Sequence, residues 1–201
     1  MISPPLDLSK PTMHTTELSP LKRALLAIEE LQAKLATVDK KRHEPIAIIG
    51  VGCRIPGGAN DPEEFWQLLR EGRNGVREIS SDRWDADAYY DSNPDAPGKI
   101  ATRFGGFLDQ VDRFEPQFFE IAPREALTMD PQQRLLLEVS WEALEHAGQS
   151  PVGLGHTRTG VYIGISSNDY AQLLLEAGDP ALVDMYYASG IAHSIASGRL
   201  S

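Results

Sequence analysis

The sequence is poor in three things, and each absence excludes a class of protein. It contains a single cysteine, Cys53. One cysteine closes no intrachain disulfide and builds no cysteine-based metal cluster. A reducing, cytoplasmic setting is therefore the expectation. No stretch approaches the roughly 20 apolar residues that span a bilayer, so no membrane association is expected. Met1 to Pro5 offer no basic region leading into an apolar run, so no secretory signal is expected. Basic residues are the minority, 19 against 29 acidic, for a net charge of −10. A surface of that sign repels a phosphate backbone, which argues against nucleic acid as a partner.

What is present suits a folded protein. Of 201 residues, 41% are hydrophobic and 24% charged, enough apolar content to bury a core. The charge is uneven. Residues 1–43 hold 7 basic and 5 acidic residues, whereas residues 44–201 hold 12 and 24. A boundary is expected near His43. Residues 1–18, with prolines at 4, 5 and 11 and no periodicity, read as a disordered tail.

Residues 19–43 read as an isolated α-helix. Ser19 is an N-cap and Pro20 suits the first helical position. Leu21, Leu25, Ile28, Leu31, Leu35 and Val38 follow at steps of three and four, close to a heptad seam with one phase slip near Ile28. Lys40, Lys41 and Arg42 place cations at the C-terminal end, where the helix dipole favours them. A helix this short is marginal in water and needs a partner surface. The seam fits either packing on its own domain or a short coiled coil between chains.

Residues 44–201 read as an α/β layered fold. Ile46 to Ile49 form a continuous apolar run, as in a strand buried on both faces. A glycine-rich turn follows from Gly50 to Gly58. Asp61-Pro62-Glu63-Glu64 has the form of a helix start, with Phe65, Trp66, Leu68 and Leu69 on the apolar face. Residues 79–124, rich in proline and aromatics, read as an ordered, loop-rich excursion. Asp130-Pro131-Gln132-Gln133 opens the clearest helix, 131–147, apolar around most of its cylinder. Thr159 to Ile165 reads as a second strand and Asp169 to Leu175 as a short helix. Two strands are too few for a covered sheet, so the domain is expected to be incomplete, with further strands beyond Ser201.

No catalytic constellation is complete. Gly50 and Gly52 after a strand suggest dinucleotide binding, but Ile55 occupies the position that needs a small residue. Cys53 beside Arg54 invites a nucleophile reading, yet a nucleophile needs a base, and the histidines at 14, 43, 146, 156 and 193 fall in no motif with it. Ser166 lacks the second glycine of a nucleophile elbow. No metal-ligand spacing occurs.

Taken together, several of these runs resemble one family. Glu44 to Gly58 (EPIAIIGVGCRIPGG), Phe65 to Leu69 (FWQLL), Arg83-Trp84-Asp85, Gly105 to Leu108 (GGFL), Pro123 to Ala126 (PREA), Met129 to Arg134 (MDPQQR), Trp141 to Glu145 (WEALE), Thr159-Gly160-Val161 and Ser197 to Ser201 (SGRLS) resemble, in order, the β-ketoacyl synthase domain of modular polyketide synthases. The segment 18–43 is similar to the coiled-coil docking helices that precede such domains. Ile55, and Glu120-Ile121-Ala122, depart from the commonest family residues as packing changes. The resemblance implies a thiolase-like fold of which residues 44–201 are the N-terminal part, and a homodimer. It implies an acyltransferase of the 3-oxoacyl-[acyl-carrier-protein] synthase type, performing decarboxylative Claisen condensation of an acyl thioester with a malonyl-type unit. No cofactor is bound directly; phosphopantetheine sits on the partner acyl carrier protein. An upstream synthase subunit is implied as a partner of the N-terminal helix. The family nucleophile lies in a Thr-Ala-Cys-Ser-Ser motif, with two histidines further on, all expected C-terminal to Ser201. This stretch alone is expected to be inactive. Cys53 matches the family's opening Gly-Cys-Arg motif, not that nucleophile. The loop Met129, Asp130, Pro131 and Gln132 resembles the family loop near the dimer interface and acyl pocket; its residues alone read equally as a helix cap. The alternatives are a non-catalytic docking or dimerisation module, and a piece of a fatty-acid-synthase condensing enzyme.

Overall fold

The computed structural model describes residues 19–201 and falls into two units, one ending at Ala47 and the other spanning Ile48–Ser201.

The first unit is built on one helix, α1 (Pro20–Arg42). The Ser19 hydroxyl accepts from the Lys22 N–H at 3.4 Å, Pro20 opens the first turn, and Lys40, Lys41 and Arg42 occupy the last. No residue of α1 is buried.

The second unit is mainly helical. Its elements are α2 (Pro62–Arg70), β1 (Val76–Glu78), α3 (Ala86–Tyr89), β2 (Phe104–Gly106), α4 (Pro123–Thr128), α5 (Pro131–His146), α6 (Pro151–Leu154), α7 (Asp169–Glu176), α8 (Met185–Ile191) and α9 (His193–Leu200), with a single 3₁₀ turn at Pro180–Leu182. Capping chemistry explains the starts. The Asp61 carboxylate accepts from the Glu64 N–H at 2.8 Å, and the Glu64 carboxylate accepts from the Asn60 N–H at 2.8 Å, a reciprocal clasp at the head of α2. Asp130 caps α5 from one side only: its carboxylate accepts the Gln132 N–H at 2.8 Å, while its own N–H donates to the Gly190 carbonyl, so the capping box expected with Gln133 does not form.

Two expected strands are absent. Ile46 to Ile49 and Thr159 to Ile165 run without helix or ladder, and Ile46, Ile48 and Tyr162 are each more than four-fifths exposed. A strand exists through its neighbour's hydrogen bonds, and neither segment has a partner among the described residues. The apolar pattern at 46–49 reports a burial that the described residues do not provide, while Val161, Ile163 and Ile165 are half-buried without a ladder. For the same reason α5, apolar around most of its cylinder, fully buries only Gln133 and Leu137.

The described ladder is instead a short antiparallel pair, Val76 with Gly106 through Glu78 with Phe104. It closes the loop-rich excursion, which is ordered as expected. Trp84 meets Phe107 edge-on at 5.8 Å, and Phe118 meets Trp141 of α5 edge-on at 4.7 Å. The buried apolar residues, among them Leu68, Ile79, Met129, Leu137, Leu174 and Ala196, make a thin core.

Glycine settles how the chain leaves its first extended segment. A Cβ on Gly50 would stand 2.2 Å from the Ala143 carbonyl oxygen, and one on Gly52 would stand 2.4 Å from that of Val139. The backbone at 50–52 therefore lies directly on α5, an approach only glycine permits. The glycines serve helix contact rather than a phosphate cradle.

Candidate functional site

Burial among the described residues concentrates at Thr128 to Asp130 and Gln133. Met129 is fully buried, and Thr128, Asp130 and Gln133 are 2–3% exposed. Buried polar groups require partners, and these have them. The Asp130 N–H donates to the Gly190 carbonyl at 2.9 Å. The Gln132 amide donates to the Ser167 carbonyl at 3.3 Å. The Gln133 amide donates to the Ala192 carbonyl at 3.2 Å.

Arg199, on α9, ties this loop to its surroundings. Its Nε donates to Gln133 Oε1 at 2.9 Å, its Nη1 pairs with Glu125 Oε1 of α4 at 2.7 Å, and its Nη2 reaches the Ser189 carbonyl at 3.4 Å. The Arg199 and Glu125 side chains are only 14% and 20% exposed. A guanidinium presents its donors as a rigid fork, so one side chain holds α4, α5, α8 and α9 together. Gly190 permits the closest of these crossings: a Cβ there would stand 2.4 Å from the Thr128 carbonyl oxygen. Tyr170 of α7 joins the same knot, its hydroxyl donating to the Leu127 carbonyl at 2.7 Å.

A second polar group lies at the far end of α5. Arg54 grips Glu142 with both Nη atoms, at 2.5 and 2.6 Å. Burial pushes the nearby Glu138 carboxyl up, against the opposing pull of Arg54. These residues border an open cleft of about 1070 Å³ whose wall also carries Asp61, Glu64 and His146. A second cleft, about 790 Å³, is lined by Ile49, Ala143, Leu144, Val161 and Ile163.

The nucleophile test fails for Cys53. Burial, followed by the negative charge of Asp61, pushes its thiol up from its ordinary value, away from the thiolate needed for attack. Two histidines of this unit are engaged by backbone. His146 Nδ1 accepts the Val51 N–H at 3.0 Å, and His193 Nε2 lies 2.9 Å from the Ser167 carbonyl. Among the described residues no group of three His, Cys, Asp or Glu could hold a metal ion. Among the described residues the arrangement supplies framework and pocket wall.

Residues 43–201 match the family model for the β-ketoacyl synthase N-terminal domain. The chain belongs to the β-ketoacyl synthase family. One subunit of the phenolphthiocerol/phthiocerol polyketide synthase of Mycobacterium tuberculosis (strain CDC 1551 / Oshkosh) is 49% identical over 188 residues, covering 94% of this chain and 10% of that protein. Another subunit of the same synthase, from the same strain, is 52% identical over 158 residues, covering 79% and 10%. The chain thus spans about a tenth of the length of the curated relatives it matches. Among solved structures, the oxazolomycin ketosynthase domain of Streptomyces albus JA3453 superposes with a TM-score of 0.67 at 39% identity, over 77% of this chain and 26% of that one. The ketosynthase from module 6 of the bacillaene synthase of Bacillus subtilis 168 gives 0.62 at 37% identity, over 77% and 23%. The fold is therefore part of the thiolase-like ketosynthase fold, and these residues are the N-terminal part of a polyketide synthase ketosynthase. Among the described residues no helix is long and apolar enough to cross a membrane.

Of the loop residues Met129, Asp130, Pro131 and Gln132 singled out in the sequence, Met129 and Asp130 are buried and Pro131 and Gln132 are half-buried at the start of α5. The seam residues Leu21, Leu25, Ile28, Leu31, Leu35 and Val38 lie along α1, each more than half exposed. Arg199, Glu125 and Gln133 were missed as a unit. They lie 66 and 74 positions apart along the chain, and no local pattern signals such a meeting.

Proposed function

We propose that the ketosynthase to which these residues belong is an acyltransferase that condenses an acyl thioester with a malonyl-type unit on an acyl carrier protein, as a homodimer in the cytoplasm. A cysteine thiolate attacks the incoming acyl thioester, forms an acyl-enzyme and releases the carrier's phosphopantetheine thiol. Loss of CO2 from the malonyl-type thioester leaves an enolate carbon that attacks the acyl-enzyme, forming the new C–C bond and expelling the thiolate. The nucleophile and its two histidines lie outside the 201 residues. Hydrogen bonds from those histidines favour the developing enolate and oxyanion. The present residues supply framework: the knot at Met129 to Gln133 holds four helices in place, and the loop 129–132 borders the acyl pocket and dimer interface. α1 serves as the helix that associates protein chains.

The observation that carries this reading is the family match across 43–201 together with the ketosynthase superposition. The test uses two chains, residues 1–201 and a longer product of the same open frame that includes a Thr-Ala-Cys-Ser-Ser stretch. Each is incubated with an acyl thioester and digested for peptide mass spectrometry. The longer chain is expected to carry the acyl group on the downstream cysteine and the shorter one to carry none. Stable acylation of Cys53 overturns the assignment.

A further inference from the structure

We infer that His146 is a pH-dependent latch: its unprotonated imidazole holds the chain at Val51 against α5, and its protonation in mild acid releases residues 48–52. The latch lies wholly within the second unit and is independent of condensation chemistry.

The chain from Ile48 to Arg54 crosses α5 with little to hold it. Among the described residues no backbone ladder joins this stretch to the rest of the unit. Gly50 and Gly52 approach the helix without side chains to pack there, and Val51 between them is 42% exposed. Two side chains of α5 make the hydrogen bonds that tie the stretch to the helix. Glu142 takes both Nη atoms of Arg54. One turn later, His146 Nδ1 accepts the Val51 N–H at 3.0 Å.

Accepting that N–H takes a lone pair on Nδ1, so the imidazole is neutral with its proton on Nε2. A protonated imidazole donates from both nitrogens. Its Nδ1–H then faces the Val51 N–H, donor against donor, and the contact is lost. Histidine side chains change charge between about pH 5 and 8, whereas carboxylates and guanidinium groups ordinarily do so outside that range. The charged groups that share the cleft with His146 are Glu138, Glu142 and Glu145 of its own helix, Arg54 and Asp61 ahead of α2, Glu64 within it, and Asp109, Arg113 and Glu115 of the loop-rich excursion. Glu138, pushed up by burial, is the competing titrator. The Arg54–Glu142 pair does not involve the imidazole, so release frees residues 48–52 and leaves the chain anchored at Arg54.

The test is amide hydrogen exchange read by NMR on the full 201-residue chain, with each rate divided by the unstructured rate at the same pH. Protection of the Val51 N–H is expected to fall about fivefold between about pH 7.5 and about pH 5, the equivalent of one lost hydrogen bond. The Ile55 N–H, bonded to the Ala59 carbonyl at 2.8 Å, is the internal reference and keeps its protection. His146→Asn sets an amide oxygen near the place of Nδ1 and does not titrate in this range, so protection at Val51 should stay level with pH. Glu138→Gln removes the competing carboxyl and should leave the fall intact. Val51 protection that does not change with pH in the parent chain overturns the proposal. So does an equal fall in His146→Asn, an equal fall at Ile55, or disappearance of the fall in Glu138→Gln.

Discussion

Replacing Gly190 by alanine tests the knot around Met129 with one atom. A Cβ at 190 stands 2.4 Å from the Thr128 carbonyl oxygen, 2.8 Å from its carbon and 3.0 Å from the Met129 Cα. All three are backbone atoms, so no side chain can swing away. The neighbourhood resists a shift as well: Thr128 is 2% exposed, and the Gly190 carbonyl accepts the Asp130 N–H at 2.9 Å. Overpacking of this kind costs roughly 1–3 kcal/mol, and a rigid backbone neighbour places Gly190→Ala near ~3 kcal/mol. For a unit of this size that lowers the melting temperature by about 6–12 °C. The matched control is Gly198→Ala in α9. Nothing lies within 4 Å of its added methyl, and alanine is favoured over glycine in a helix by roughly 0.8–1 kcal/mol. The assay is urea denaturation followed by circular dichroism on the two variants and the parent chain. Midpoints should move in opposite directions. If Gly190→Ala is as stable as Gly198→Ala, the close crossing of α8 over the 128–129 backbone is wrong, and with it the account of how these helices are held.

Three other outcomes follow from the same geometry. Arg199→Met strands the Glu125 carboxylate and the Gln133 amide in a half-dry site and should destabilise the chain by about 2–4 kcal/mol; a double-mutant cycle with Glu125→Gln should return a coupling of roughly 1–3 kcal/mol, and simple additivity would remove Arg199 from the knot. Burial raises the folded-state pKa of Glu138 above its unfolded value. Its contribution is fully present below the unfolded pKa and lost as pH rises through the folded one, so Glu138→Gln should leave stability near pH 4 unchanged and raise it at pH 7. Denaturation midpoints at the two pH values check this, and a loss of stability at pH 7 contradicts it. The raised thiol pKa of Cys53 predicts alkylation by iodoacetamide slower than that of a free cysteine at pH 8; mass spectrometry of the labelled peptide over time measures the rate, and faster labelling would mark an activated thiol.

Helix starts were legible in the sequence because their chemistry is local. Ser19, Asp61 and Asp130 each accept a backbone N–H two or three residues ahead, and proline stands at the first position every time. Nothing distant is needed for that bond to form, so the pattern and the structure agree at all three. The family was equally legible, since its runs of residues are themselves sequence. The paired glycines at 50 and 52 were visible too, but not their purpose: only the distances to the Ala143 and Val139 carbonyls show that they let the chain lie on α5.

The strands and the knot depended on the tertiary structure. A β-ladder joins residues far apart in the chain, so the apolar runs at 46–49 and 159–165 record a demand for burial without naming the neighbour that meets it. Where no ladder partner stands among the described residues, they form no strand: Ile46, Ile48 and Ile49 are exposed, and Val161, Ile163 and Ile165 are half-buried. Val76 to Glu78, with a far weaker pattern, forms a ladder because Phe104 to Gly106 is brought beside it. Arg199 shows the same rule for polar groups. Its position at the end of the chain says nothing of Gln133 or Glu125, and only the packing of α9 across α4 and α5 makes one guanidinium the tie among four helices. Local hydrogen bonds and side-chain periodicity are written along the chain, whereas long-range pairing is a property of where the folded chain returns to itself.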